Sequence, residues 1–218
     1  MNTLESRLYK HITLLMQRYP ALKEIEEQII DAYLLMQHCY EQGGKLLVAG
    51  NGGSAADSEH IVGELMKCFK RPRPIDPKLA ARMKEIDPIR GAEMEKHLET
   101  CLTALSLTSH ESSITAFIND VSSVDVYAQQ LLGYAKAGDV FLCISTSGNS
   151  ESMLHAAIAA QALGVKVIGL TGQTGGMLAA FCDVAVKAPE TETYMIQEYH
   201  LPIYHCWCLM LEDYFFGK

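Results

Sequence analysis

Two short stretches rich in glycine and hydroxyl side chains have the chemistry to hold an anion. Ser145-Thr146-Ser147-Gly148-Asn149-Ser150 places four hydroxyls in six residues, after an apolar run and ahead of an alanine-rich one. At a strand-to-helix junction such a turn points backbone N–H groups outward, and the helix dipole favours negative charge there. Neutral donors of this kind suit a phosphate monoester without a lysine. The GxxxxGK[ST] spacing of a P-loop is absent. Asn51-Gly52-Gly53-Ser54 repeats the design after an earlier apolar run. Its glycines permit backbone angles and close approaches barred to larger residues, and Asn51 can hydrogen-bond a hydroxylated ligand.

Two titratable groups lie close behind that second turn. His60 and Glu64 stand at i and i+4 of a helical stretch, so they share a face. Such a pair can coordinate one divalent metal, work as acid and base, or simply be a polar surface pair. The last helical stretch carries Gln197, Glu198, His200 and His205. Gln197 and His205 are eight positions apart, about 12 Å of helix rise, so they meet at one ion only if they bend toward each other. Pro202 lies between them and is expected to kink the helix, which could bring them together. Alternatively, the two serve sites in different subunits. His200 faces away from both and reads as an ordinary histidine.

These residues need a frame. Apolar residues at helical spacing over residues 4–18 and 22–41 predict two helices ahead of any strand. Short apolar runs at 45–49, 101–107, 139–144, 165–170 and 183–187 then alternate with helical stretches, the last helix covering about 196–214. Strands that are apolar throughout, separated by helices, predict an α/β fold with three layers around a five-stranded parallel sheet. Ligands in such sheets bind beyond the carboxyl ends of the strands, where both Gly/Ser turns fall. Residues 73–98 interrupt the pattern with a charged, proline-punctuated stretch, helical only in two brief pieces. Its length predicts an arm running over the surface rather than a simple connection.

Composition sets the outer limits. The 218 residues carry 18 Lys plus Arg against 26 Asp plus Glu, a net charge of −8, and are 49% hydrophobic. That fits one domain spanning 1–218, with a core, and argues against a nucleic-acid partner. No apolar run approaches the ~20 residues that cross a bilayer, and the first residues lack a signal-peptide core, so a cytoplasmic protein with no membrane partner is expected. Seven cysteines without a CxxC pair read as reduced and mostly buried. Lys67, Lys70, Arg71 and Arg73 read as a solvated basic face.

Taken in order, Asn51-Gly52-Gly53-Ser54, His60 to Glu64, Asn119-Asp120, the turn 145–150, and Ile196-Gln197-Glu198 with His205 resemble the sugar isomerase (SIS) domain family. Within that family the chain is most similar to the phosphoheptose isomerases. The resemblance covers nearly the whole chain outside the arm. It implies a flavodoxin-like SIS fold, a homotetramer, and isomerisation of sedoheptulose 7-phosphate to D-glycero-D-manno-heptose 7-phosphate; the two leading helices (1–42) are expected in the interface between copies because they carry more apolar surface than one domain easily covers. It further implies substrate binding by Asn51, Gly52, Gly53, Glu64, Asn119, Asp120, Ser145, Thr146, Ser147, Ser150 and Gln197. A zinc site of His60, Glu64, Gln197 and His205 is implied, with Glu64 and His205 as the acid–base pair. No redox cofactor is called for. Carbonyl migration requires a base for the carbon-bound proton and a group to shuttle the oxygen-bound one, roles a carboxylate and an imidazole fill.

Three positions depart from the family pattern. Met195 stands where an arginine is usual, Tyr194 where an acidic residue often precedes it, and Pro202 interrupts the last helix. With the arm, these could reshape the sugar end of a pocket. A competing reading is a non-catalytic SIS protein that binds a sugar phosphate as a regulator, or an adaptor similar to the protein associated with the bacterial replication initiator. Retention of both Glu64 and His205 favours the enzyme.

Overall fold

A computed structural model describes residues 4–217. Residues 1–3 of the expected helical segment 1–42, and residue 218, lie outside the described residues. Each apolar run supplies a strand: β1 (Leu46–Gly50), β2 (Ala104–Ser106), β3 (Val140–Ser145), β4 (Lys166–Thr171) and β5 (Val184–Lys187). They pair in parallel in the order β2-β1-β3-β4-β5. The helices are α1 (Tyr9–Arg18), α2 (Glu26–Glu41), α3 (Gly53–Met66), α4 (Pro77–Ile86), α5 (Pro88–His97), α6 (Glu111–Asp120), α7 (Val126–Tyr134), α8 (Glu151–Ala162) and α9 (Thr193–Phe216).

Alternate strand residues point to opposite layers, which is why the strands are apolar at nearly every position. Leu46 and Val48 of β1, with Val140, Leu142 and Ile144 of β3, pack under α1, α2, α3 and α9. Leu47 and Ala49, with Phe141 and Cys143, pack under α7 and α8. The expected three-layer, five-stranded parallel fold is therefore observed. Two details differ. β2 has only three residues rather than the seven of the run 101–107, and residues 111–134 form α6 and α7, which no expectation covered.

The leading helices bury most of their apolar faces within this same chain. Leu8, Ile12, Leu15, Leu22, Ile29 and Tyr33 are all in the core, and the Trp207 indole N–H of α9 donates to the Ile29 carbonyl at 2.9 Å. Leu14 stays half exposed. All seven cysteines are free, with Cys39, Cys143, Cys206 and Cys208 buried and Cys101 exposed. Among the described residues no helix is long and apolar enough to cross a membrane.

The arm is a helical hairpin. Asp76 and Asp87 each precede a proline and accept backbone N–H groups of the first turn, so α4 and α5 start on matched aspartate caps with proline at the first position. Gly91 lets α5 approach the α4 backbone, since a Cβ there would lie 2.5 Å from the Met83 carbonyl carbon. A bridge between Pro74 and Glu99 closes the base of the hairpin. The tip, at Ile86 and Ile89, is exposed. One expectation fails at the same base. Lys67, Lys70 and Arg71 are exposed, but Arg73 is fully buried and paired with Glu212 of α9. Arg73 carries no local signal for burial, because its partner lies 139 positions away in sequence.

Candidate active site

The order β2-β1-β3-β4-β5 reverses direction between β1 and β3, and a crevice opens beyond the carboxyl ends of strands at such a point. Gly50 is in register with Ile144, so the turns after β1 and β3 emerge side by side. They are joined there. The Asn51 amide donates to the hydroxyls of Ser150, at 2.9 Å, and Ser152, at 3.0 Å, while its carbonyl accepts from Tyr127 at 3.2 Å. Ser150 starts α8, yet its hydroxyl makes no capping bond to that helix. Ser145 and Gly148 are buried, Ser147 and Asn149 exposed, so the turn opens to solvent on one side.

A second layer holds the turn from behind. Gly148 adopts φ +65° and lies so close to the next loop that an added Cβ would meet the Gly175 carbonyl oxygen at 2.1 Å. The Asn149 side chain accepts the Met177 N–H at 2.9 Å, and the Leu178 N–H donates to the Gly148 carbonyl at 2.9 Å. These backing residues were missed in the sequence, although Gly175-Gly176 after β4 is a third glycine turn at the same sheet edge.

α3 leaves the first turn through Gly52 (φ +57°) and runs beside α9, carrying His60 and Glu64 toward His205. His60 Nε2 lies 3.3 Å from Glu64 Oε1 and 3.4 Å from His205 Nε2. The His205 imidazole is half-buried, and burial with the neighbouring His60 pushes its pKa down, Glu64 acting the other way. Phe69 packs on its ring at 5.4 Å between centroids. Glu64 Oε2 is buried without a hydrogen-bond partner, with Lys67 Nζ 3.5 Å away. Behind His60, the Tyr204 hydroxyl lies 3.0 Å from Nδ1 and 3.2 Å from Asp57 Oδ1. Tyr204 and Asp57 were also missed, because a tyrosine in an apolar helix reads as core.

The remaining expected residues are placed differently. The Gln197 amide sits against Gly53, where an added Cβ would lie 2.4 Å from Nε2. Gly53 precedes His60 by seven residues, about 10 Å of helix rise, so Gln197 lies about two turns from the histidine pair. α9 runs as one helix through buried Pro202. Asn119 and Asp120 are exposed at the end of α6, the Asn119 amide donating to Asp120 at 2.8 Å. Thr146 is partly buried in the turn.

His60, Glu64 and His205 offer a donor set suited to a divalent cation. Two of its edges, at 3.3 and 3.4 Å, match the ~3.3 Å edge of a tetrahedron with ~2.0–2.1 Å bonds. Yet among the described residues no group of three or more His, Cys, Asp or Glu is arranged to hold a metal ion. Two fitting edges and an unpartnered carboxylate oxygen make a compatible set of ligands, not a closed site.

His200 lies outside this cluster, fully buried, with Nε2 3.1 Å from the Thr171 carbonyl oxygen. Burial pushes its pKa down to about 4, the hydrogen bond opposing. The unfolded histidine (~6.5) therefore takes up a proton first as pH falls, and the stability fully present above pH ~6.5 drops by about 3 kcal/mol by pH ~4. Urea unfolding measured from pH 7 to 4 should show that loss, and His200→Gln should flatten it. An equal slope in the variant would exclude His200 as its source.

Similarity to known proteins agrees with this geometry. The profile of the SIS domain matches residues 9–104 and 99–172. A phosphoheptose isomerase of Aneurinibacillus thermoaerophilus is 38% identical over 81% of this chain and 76% of its own length. One of Coxiella burnetii is 33% identical over 97% and 95%. The solved structure of the Neisseria gonorrhoeae phosphoheptose isomerase is 32% identical, covers 97% of this chain and 100% of its own, and superposes with a TM-score of 0.72. The chain belongs to the SIS domain family and, within it, to the phosphosugar isomerases.

Proposed function

We propose that the protein interconverts sedoheptulose 7-phosphate and D-glycero-D-manno-heptose 7-phosphate. The observation that carries this reading is the convergence of Glu64, His60 and His205 from α3 and α9, together with paired hydroxyl-rich turns at the sheet's switch point. The turn at residues 145–150 and the start of α8 bind the phosphate, supplying binding energy remote from the reacting carbons. Asn51 bridges both turns, and with Asn119 and Asp120 it addresses the sugar hydroxyls. Glu64 takes the proton from the carbon beside the carbonyl and returns it to the neighbouring carbon. His205 moves the proton between the two oxygens; its depressed pKa keeps it neutral and able to accept.

Zinc belongs to the proposal, with His60, Glu64 and His205 as ligands; Gln197, about two turns away on the same chain, would complete the set only from a second protomer. When bound, such an ion supplies Lewis-acid stabilisation of developing negative charge on the substrate oxygens.

Assembly as a homotetramer belongs to it as well. Glu64 stands eleven residues beyond Gly53, about 16 Å along α3, whereas a heptose phosphate spans at most about 12 Å from C1 to phosphorus at roughly 1.5 Å per bond. This separation supports sites shared between protomers. Leu14 on α1 and Ile86 and Ile89 at the hairpin tip offer apolar surface for contacts between copies. The free thiols support a reducing compartment, the cytoplasm. The decisive experiment incubates the zinc-loaded protein with sedoheptulose 7-phosphate and follows aldose formation by NMR, with light scattering on the same sample. Turnover by a tetramer is expected. Tight binding of the sugar phosphate without turnover, or a monomer, would overturn the corresponding part.

A further inference from the structure

We propose that Ser152, on the first turn of α8, binds the substrate phosphate beside Ser150, and that Asn51 is a positioning residue that keeps both hydroxyl protons for the ligand. The proposal rests on the reading of the turn at residues 145–150 as the phosphate site, and it adds a residue that lies outside that turn.

A serine at the start of a helix ordinarily spends its hydroxyl on the helix itself, capping the free backbone N–H groups. Ser150 makes no such bond to α8. Among the described residues, the hydroxyls of Ser150 and Ser152 meet one another at 3.2 Å and the Asn51 amide nitrogen at 2.9 and 3.0 Å, and nothing else. Ser150 is the residue before α8 and Ser152 the second residue within it. Both hydroxyls therefore lie side by side at the positive end of the helix dipole.

The direction of these bonds decides what the serines can do. An amide nitrogen brings two protons and accepts nothing, so both serine oxygens accept from Asn51. The reverse arrangement, with the amide carbonyl facing the serines, would consume both hydroxyl protons. It would also make O–H···O bonds, which centre on about 2.7–2.8 Å. The observed 2.9 and 3.0 Å are ordinary N–H···O lengths. Tyr127 fits either arrangement, its hydroxyl lying 3.1 Å from the Gly50 carbonyl and 3.2 Å from the Asn51 side-chain oxygen, so the serines carry the distinction.

With both oxygens accepting from Asn51, two hydroxyl protons remain. The contact between the serines uses at most one, which leaves at least one donor with no acceptor among the described residues. A phosphate supplies several charged acceptor oxygens at once and draws on both hydroxyls. Asn51 thus acts on the phosphate through the serines, while its carbonyl oxygen keeps a lone pair for a sugar hydroxyl.

Calorimetric titration with inorganic phosphate tests this without reference to turnover. The parent protein should bind phosphate, and Ser152→Ala should bind it about tenfold more weakly, the loss of one hydrogen bond to a charged group. Ser152→Thr keeps a hydroxyl and should recover most of that loss. Asn51→Ala should weaken binding as well, and the double variant should lose less than the sum, because both changes cut into the same hydroxyl's contribution. A parent protein that does not bind phosphate, or a Ser152→Ala protein that binds it as the parent does, would overturn the assignment. Ser152→Thr as weak as Ser152→Ala would equally show that the hydroxyl is not what matters. Strict additivity of Asn51→Ala and Ser152→Ala would remove the positioning role of Asn51. The expected phosphate pattern in a protein that never isomerises sedoheptulose 7-phosphate would instead overturn the functional reading and leave Ser152 as a phosphate ligand.

Discussion

Glu64→Gln should lower kcat by 10²–10⁴-fold, the range for a missing general base, while sugar-phosphate binding persists. The substitution keeps shape and removes the charge and the basic oxygen pair. Its surroundings make the effect specific. The Glu64 side chain is only 14% exposed, one oxygen is 3.3 Å from His60 Nε2, and the other is buried without a hydrogen-bond partner. An amide cannot take a carbon-bound proton from that position. The turn proposed to bind the phosphate belongs to other elements, β3 and α8, and should hold its ligand unchanged. Steady-state kinetics with sedoheptulose 7-phosphate, beside direct calorimetry of its binding, separates the two. A variant with kcat within tenfold of the parent would show that the proton leaves by another route.

What the sequence disclosed, and what it withheld, follows the range of the forces involved. The strands were legible because a parallel sheet covered on both faces demands apolar residues at consecutive positions, as in Val140-Phe141-Leu142-Cys143-Ile144. The turns after β1 and β3 were legible because glycine and hydroxyl side chains announce backbone geometry locally. His60 and Glu64 were a visible pair because helical spacing alone brings them together. Their meeting with His205 came from family resemblance, since 145 positions separate it from His60. Tyr204 and Asp57 were invisible for the same reason, each unremarkable until α3 and α9 lie side by side. α6 and α7 escaped notice too. α6 is only ten residues long and has no fully buried residue, its apolar side meeting the core through Ile114 and Phe117 alone.

Arg73 is the sharpest case of a long-range partner overruling a local pattern, and its removal should have the largest effect on stability. Its side chain is fully buried, its guanidinium 2.8 Å from Glu212 and 4.8 Å from the centre of the Phe216 ring. Two further bonds run to the end of α3, to the carbonyls of Leu65 at 2.8 Å and Glu64 at 3.2 Å. Glu212 in turn accepts the backbone N–H groups of Phe69, Lys70 and Arg71 at 2.8, 2.9 and 3.1 Å. The pair thus clamps the segment that leads from Glu64 into the hairpin, and it sets Phe69 against His205. Arg73→Met would leave a buried carboxylate without its cation, a change that typically costs 3–5 kcal/mol. Urea unfolding should show that loss for Arg73→Met. Adding Glu212→Gln should recover part of it, because glutamine is uncharged and its carbonyl can still accept backbone N–H groups. Should Arg73→Met cost less than about 1 kcal/mol, the range of an exposed pair, the segment must be held by packing alone. Recovery in the double variant would separate an unpaired charge from a lost shape, since a cavity left by arginine is not filled by changing its partner.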